Sequence, residues 1–222
     1  MTDEAERETL LAKARQANAP GWWQRYSDVI PPWLHTYVGL EEAVSLVCEF
    51  AAGHIPDLLQ TREYASAVGI LDQEDGAQGD PALQVDFKMR RQQLLRAPDP
   101  PTRWFLVDEA VLRRPQASKE IMRAQLEHLI ELGHLPNVSI QILPFGVPRR
   151  ADGSFSILRF AESSLPDVVY IELLNQALYL DRSADVEIYW NEFNRLTAVA
   201  ANPNETRHII LEVISELSRT PR

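Results

Sequence analysis

An α+β fold is predicted by three features of this 222-residue sequence. Helical periodicity fills the N-terminal half and returns at the C-terminal end, while period-two alternation of apolar residues is concentrated between them. The strand-like runs are grouped instead of alternating regularly with helices, which predicts a mostly antiparallel sheet in the middle and not a βαβ series.

The elements follow in order. Residues 3–17 are rich in Glu, Ala, Leu, Lys and Arg and predict a helix. The segment "PGWWQRYSDVIPPWLHTYVGLEEAV" holds three of the five tryptophans and is punctuated by Pro31-Pro32. Apolar spacing from about Leu40 through Phe50 predicts a further helix. In "HIPDLLQTREYASAV", Asp57 is read as the N-cap of a helix whose Leu58, Leu59, Tyr64, Ala65 and Val68 face inward. Residues 72–81 form an acidic, glycine-containing loop. A helix then places Leu83, Phe87, Leu94 and the stem of Arg90 on one side.

Prolines at 98–101 mark a joint between subdomains, although one domain over residues 1–222 is the simpler reading. A β-prone run from Trp104 to Val107 leads into a helix capped by Ser118, with Ile121, Met122, Gln125, Leu126, Leu129 and Leu132 behind it. "NVSIQILPF" alternates Val138, Ile140 and Ile142 against Ser139 and Gln141. "SFSILRFA" and "DVVYIELL" predict an antiparallel hairpin, with "QALYLD" as a further short strand. Two helices close the chain, over about 186–199 and 203–217, and there are no internal repeats.

Composition narrows the function classes. The net charge is −10, which disfavours contact with a phosphate backbone. "RRQQLLR" at 90–96 is the densest basic stretch, but on a helix its arginines do not form one stripe. The single cysteine, Cys48, excludes an internal disulfide and a cysteine-based zinc site, and its apolar setting reads as a buried small hydrophobe. No apolar run reaches the ~18 residues that a membrane helix needs. The acidic N-terminus is unlike a signal peptide, so a cytoplasmic location is expected.

The sequence carries few of the residue patterns that catalysis or metal binding requires. His128, Glu131 and His134 do not match the spacing of a metal-binding helix, because Gly133 is expected to end it. Ser154 lacks a nucleophile-elbow context, and no phosphate-cradling glycine motif is present. No catalytic residue, metal or cofactor is therefore expected. Glu172 is read either as a buried carboxylate needing a partner or, more simply, as a strand-end residue meeting solvent. Trp22, Trp23 and Tyr26 are the candidates to line a small-molecule pocket, with Gln60 and Arg91 as polar contacts. The structural alternative is that these aromatics merely cover a core. Glu109 and Arg113, four residues apart in "VDEAVLRR", are expected to form a clamp around a partly buried carboxylate.

The order of "GWWQRYSDVIPPW", "YVGLEEAV", "IPDLLQTREYA", "RRQQLL", "VDEAVLRR", "IMRAQLEHL", "VSIQILPF", "GSFSILRF" and "DVVYIEL" resembles the C-terminal DUF5753 domain of Scr1-type, antitoxin-like regulators of actinobacteria. The resemblance runs from about residue 10 to residue 217. It implies a sensing, dimerising or partner-binding role beside an N-terminal helix-turn-helix of the XRE type, with DNA contacted only through that missing module. It also implies a small DUF397-type protein as partner, and leaves room for a small-molecule effector and a homodimer. Asp57 stands where the family's signature usually has glycine. The chain begins at the junction after the DNA-reading module, which suggests either an excised domain or a naturally headless member. The competing expectation is a headless protein recruited to biosynthesis as an enzyme or small-molecule binder.

Overall fold

Val44–Ala51 is the strand around which the rest is arranged. The computed structural model describes residues 21–74, 79–114, 116–148, 150, 153–162 and 164–219. The predicted helix over 3–17 lies outside them. The class is α+β, with a six-stranded mixed sheet in the order β3-β2-β1-β4-β5-β6. Here β1 is Val44–Ala51, β2 Thr102–Asp108, β3 Val138–Leu143, β4 Phe155–Phe160, β5 Val168–Glu172 and β6 Ala177–Leu180.

The sheet has two halves. β1, β2 and β3 are parallel, while β1/β4, β4/β5 and β5/β6 are antiparallel. The expected hairpin is β4–β5, and "QALYLD" supplies β6. Parallel strands need crossovers. These are α2 (Arg62–Glu74) and α3 (Pro81–Arg91) between β1 and β2, then α4 (Glu109–Arg113) and α5 (Lys119–Leu132) between β2 and β3.

A first expectation is overturned. The apolar run from Leu40 to Phe50 is not a helix: α1 is Pro32–Glu41, and the chain turns at once into β1. A parallel strand buried on both faces reads as a continuous apolar run, which mimics helical spacing. Cys48 and Phe50 point to one face, where they pack with Leu106, Ile157 and Val169 under Phe193 and Leu196. Those last two belong to α6, Ser183–Thr197. Val47 and Ala51 point to the other face. The N-terminal half is therefore not purely helical, because it contains the central strand.

The remaining elements follow their local chemistry. Ser118 Oγ accepts from the Ile121 amide and starts α5, whose Met122, Leu126, Leu129 and Leu132 are buried against Phe105, Ile140 and Ile142. Each such side chain contributes about 1.5–3 kcal/mol by leaving water. α7 (Pro203–Ser218) begins with a reciprocal Asn202–Glu205 capping box. In α3 the inward side is Val85, Phe87 and Arg91; Leu83 and Arg90 face solvent instead of packing as predicted. Asn137 Nδ2 donates to the carbonyls of Leu95 and Pro101, tying the proline-rich segment to the start of β3.

Candidate functional site

Pro56–Thr61, the "PDLLQT" stretch, lies across the sheet as a 3-10 turn, Asp57–Leu59, and not as a helix start. Leu58 and Leu59 are buried, and α2 begins only at Arg62, where Thr61 Oγ1 accepts from the Tyr64 amide. Three glutamines pin this turn. Gln60 Nε2 donates to the Ile55 carbonyl at 2.7 Å. Gln92 Nε2 donates to the carbonyls of Asp57 and Gln60. Gln125 donates to the Leu59 carbonyl at 2.7 Å and accepts from the Thr61 amide at 2.6 Å. A buried segment without ladder partners must satisfy its backbone in some such way.

Asp57 makes no capping bond, contrary to the sequence expectation. Its carboxylate meets Lys88 at 3.0 Å and Arg91 at 3.3 Å. Its backbone is not left-handed either, since no non-glycine residue among those described has a positive φ. An aspartate therefore works here through its charge, in a place where glycine would contribute none.

Arg91 is the middle of a buried ion chain. Its Nε and Nη2 grip Glu41, the last residue of α1, at 3.0 and 3.1 Å. Glu41 also accepts from Arg103 Nη1 at 2.9 Å. Arg103 is 0% exposed on β2, and its Nε and Nη2 have no hydrogen-bond partner among the described residues. The Arg91 guanidinium lies over the rings of Tyr37 and Phe87, 5.4 and 5.8 Å from their centroids.

The acids respond to these cations. Burial alone would raise Asp57, but Lys88 and Arg91 bring it down to about 2. Burial likewise opposes ionisation of Glu41, yet Arg91 and Arg103 hold its carboxyl below the usual range. Glu49 behaves in the opposite way. It sits on β1, on the same face as Arg103, half-buried and with no hydrogen bond or ion pair among the described residues. Burial, aided by Asp57 and Glu41, pushes it up to about 7. The seam thus contains two unpaired guanidinium nitrogens, sealed from solvent, and a carboxyl whose burial pushes its pKa up to about 7. Such an arrangement can hold a polar or anionic group, or exchange a proton.

Four of the sequence candidates converge on α3. Arg91 and Gln60 belong to the seam, with Lys88 Nζ donating to Gln60 Oε1 at 3.5 Å. Trp22 is half-buried and stacks on Phe87 at 5.7 Å, and Tyr26 meets the same ring edge-on at 5.5 Å. Trp23 and Tyr26 are buried with Val29, Ile30 and Val38. The indole of Trp23 passes so close to Gly21 that a Cβ there would lie 2.2 Å from the ring, so that position requires glycine.

Sequence reasoning missed Glu41, Glu49 and Arg103. A signal existed: Glu49 interrupts "AVSLVCEFAA", and Arg103 is the second residue of "TRWFLVD", both charges within largely apolar runs. Among the described residues, no three His, Cys, Asp or Glu side chains gather as a metal-binding set. Glu172 is exposed at the end of β5 and accepts from Trp33 Nε1 at 3.2 Å.

Glu109 and Arg113 stand elsewhere, at the opposite end of β2. Glu109 is 9% exposed; its Oε1 accepts from Arg113 Nε at 2.7 Å and its Oε2 from the Phe145 amide at 3.0 Å. Arg113 also pairs with Glu216 of α7. The clamp therefore joins α4, the loop after β3 and α7.

A family model described as a domain of unknown function, DUF5753, matches residues 34–212. The chain belongs to that family. The match takes in most of α1, the Asp57–Leu59 turn, the whole sheet and the ion chain, while Trp22, Trp23 and Tyr26 precede it. No curated protein and no solved structure matches the chain. No helix among the described residues is long and apolar enough to cross a membrane.

Proposed function

We propose that this chain is the sensing and partner-binding domain of a helix-turn-helix transcriptional regulator, antitoxin-like, with DNA contacted by a separate N-terminal module. The protein partner is a small DUF397-type protein, and the chain itself is not an enzyme. The observation that carries this reading is the ion chain Arg103–Glu41–Arg91–Asp57–Lys88, buried from Arg103 to Arg91 and half-buried at Asp57 and Lys88. It ties the N-terminal elements, those nearest a preceding DNA-reading module, to strand β2 of the sheet. A binding event that rearranges these pairs would change how α1 and the Asp57–Leu59 turn are held, and coupling between sites requires such an element. The ordered signatures quoted from the sequence and the net charge of −10 support the same reading.

Electrophoretic mobility shift with promoter DNA at moderate salt tests it. The chain alone is expected to give no sequence-specific band, and submicromolar specific binding overturns the assignment.

Glu49, half-buried on β1 on the same face as Arg103, favours a second reading, a family member that binds or transforms a small molecule. A carboxylate with a pKa of about 7 is matched to proton transfer at neutral pH. A small-molecule turnover that Glu49→Gln abolishes, with the fold unchanged, would select this reading over the first.

A further inference from the structure

The sheet ends at β6, and no strand among the described residues pairs with its outer edge. The Leu173 amide bonds to the Gln176 carbonyl at the hairpin tip. In an antiparallel ladder, bonded and non-bonded pairs alternate. With Ile171 opposite Leu178 and Val169 opposite Leu180, the backbone groups of Ala177 and Tyr179 therefore face outward. Four residues span roughly 13 Å.

This edge is apolar where strand edges usually carry charge. Leu178 is 43% exposed, and Leu174 at the hairpin tip is 105% exposed. At the other end of β6, where the chain turns into α6, lies a cleft of about 360 Å³. Asp167, Asp181, Glu187, Val186 and Trp190 line it. Asp167 is neutralised by Arg159 at 2.8 Å and also accepts from Trp190 Nε1 at 2.7 Å. Asp181 and Glu187 are exposed and have no ion-pair partner among the described residues.

We propose that the open edge of β6, with the adjoining acidic cleft, is a strand-addition site for an extended segment of a partner protein. That segment presents an apolar side chain to Leu178 and a lysine or arginine about two residues further along, on the same face, to Asp181 and Glu187. Main-chain hydrogen bonds to Ala177 and Tyr179 supply affinity, and the alternating side chains supply selectivity. Charge decides the occupant. A second copy of this chain would bring acidic cleft residues and a net charge of −10 against the same edge, whereas a basic segment complements it. The inference goes beyond the regulatory reading, because it holds for any protein partner of this chemistry.

Hydrogen exchange on the free 222-residue chain, followed by selection from phage-displayed short random peptides, tests the site. In the free chain the amides of Ala177 and Tyr179 are expected to exchange readily. Selected peptides are expected to alternate apolar and basic residues, to slow those two amides, and to bind the Asp181→Asn, Glu187→Gln double variant about tenfold more weakly. Both substitutions are at exposed positions and leave the core intact. Slow exchange already in the free chain would mean that its own N-terminal residues or a second copy cover the edge, and overturns the proposal. So does a selection that enriches no peptide, or one whose peptides are insensitive to the double variant.

Discussion

Arg103 gives Glu41 one hydrogen bond of 2.9 Å, while Arg91 grips the same buried carboxylate with two, at 3.0 and 3.1 Å. The asymmetry predicts unequal effects on stability. Glu41→Gln leaves the buried Arg103 guanidinium without a carboxylate and Arg91 with only Asp57, at 3.3 Å, and uncompensated buried charge costs about 3–5 kcal/mol. Arg103→Met leaves Glu41 in its two-point contact with Arg91 and removes two unpaired nitrogens, so it is expected to cost less than half as much. Urea unfolding of the two variants checks the order. A more damaging Arg103→Met would place the weight of the seam on β2 and contradict this description.

Glu49 predicts the sign of a pH effect. Its folded pKa of about 7 lies above its ordinary value of 4.5, so the folded chain binds this proton more tightly than the unfolded chain. The contribution favours folding below about 4.5 and is lost as pH rises through about 7. Asp57 runs the other way. Depressed from 3.8 to about 2, it stabilises above 3.8 and loses that contribution as pH falls through about 2. Glu49→Gln is therefore expected to flatten the loss of stability between pH 5 and 7 that the wild type shows, a window set by the same shift. Chemical denaturation across that range measures it, and an unchanged slope would mean that Glu49 is ionised throughout.

Gln125→Leu tests the pinning of the "PDLLQT" turn. It removes the partner of the Leu59 carbonyl and of the Thr61 amide, and each buried group left unsatisfied costs about 1–3 kcal/mol. Faster exchange of the Thr61 amide is expected, with α5 still formed. Global unfolding without prior loosening of Thr61 would show that Gln125 supports α5 instead.

Glu109→Gln separates clamp from contact. The variant keeps one acceptor for Arg113 or for the Phe145 amide but loses the charge, a change worth about 1–2 kcal/mol. A lower Tm with partner affinity intact is expected. An unchanged Tm with lost partner binding would make Glu109 a binding residue.

Much of the fold was legible because local patterns agreed with it. Ser118 capped the helix it was expected to cap, and the alternation of Val138, Ile140 and Ile142 matched a strand with one face on the core. β1 was hidden because both of its faces are buried, which erases the period of two. The parallel half of the sheet was hidden with it. The candidate site was half legible. Arg91 and Gln60 could be named from "RRQQLL" and "PDLLQT", but Glu41, Glu49 and Arg103 meet only through the pairing of β1 with β2 and the packing of α1 and α3 beside them. Such proximity is long-range and leaves no mark in local spacing.

Calorimetric titration of this chain with a small DUF397-type protein, the partner proposed above, tests most directly the proposal that this is a partner-binding regulatory domain. Saturable binding with a submicromolar Kd is expected, and Arg91→Met, which unlinks Glu41 from Asp57, is expected to weaken it or change its enthalpy. A titration that releases no heat and gives no complex on size exclusion, with the chain folded, contradicts the claim.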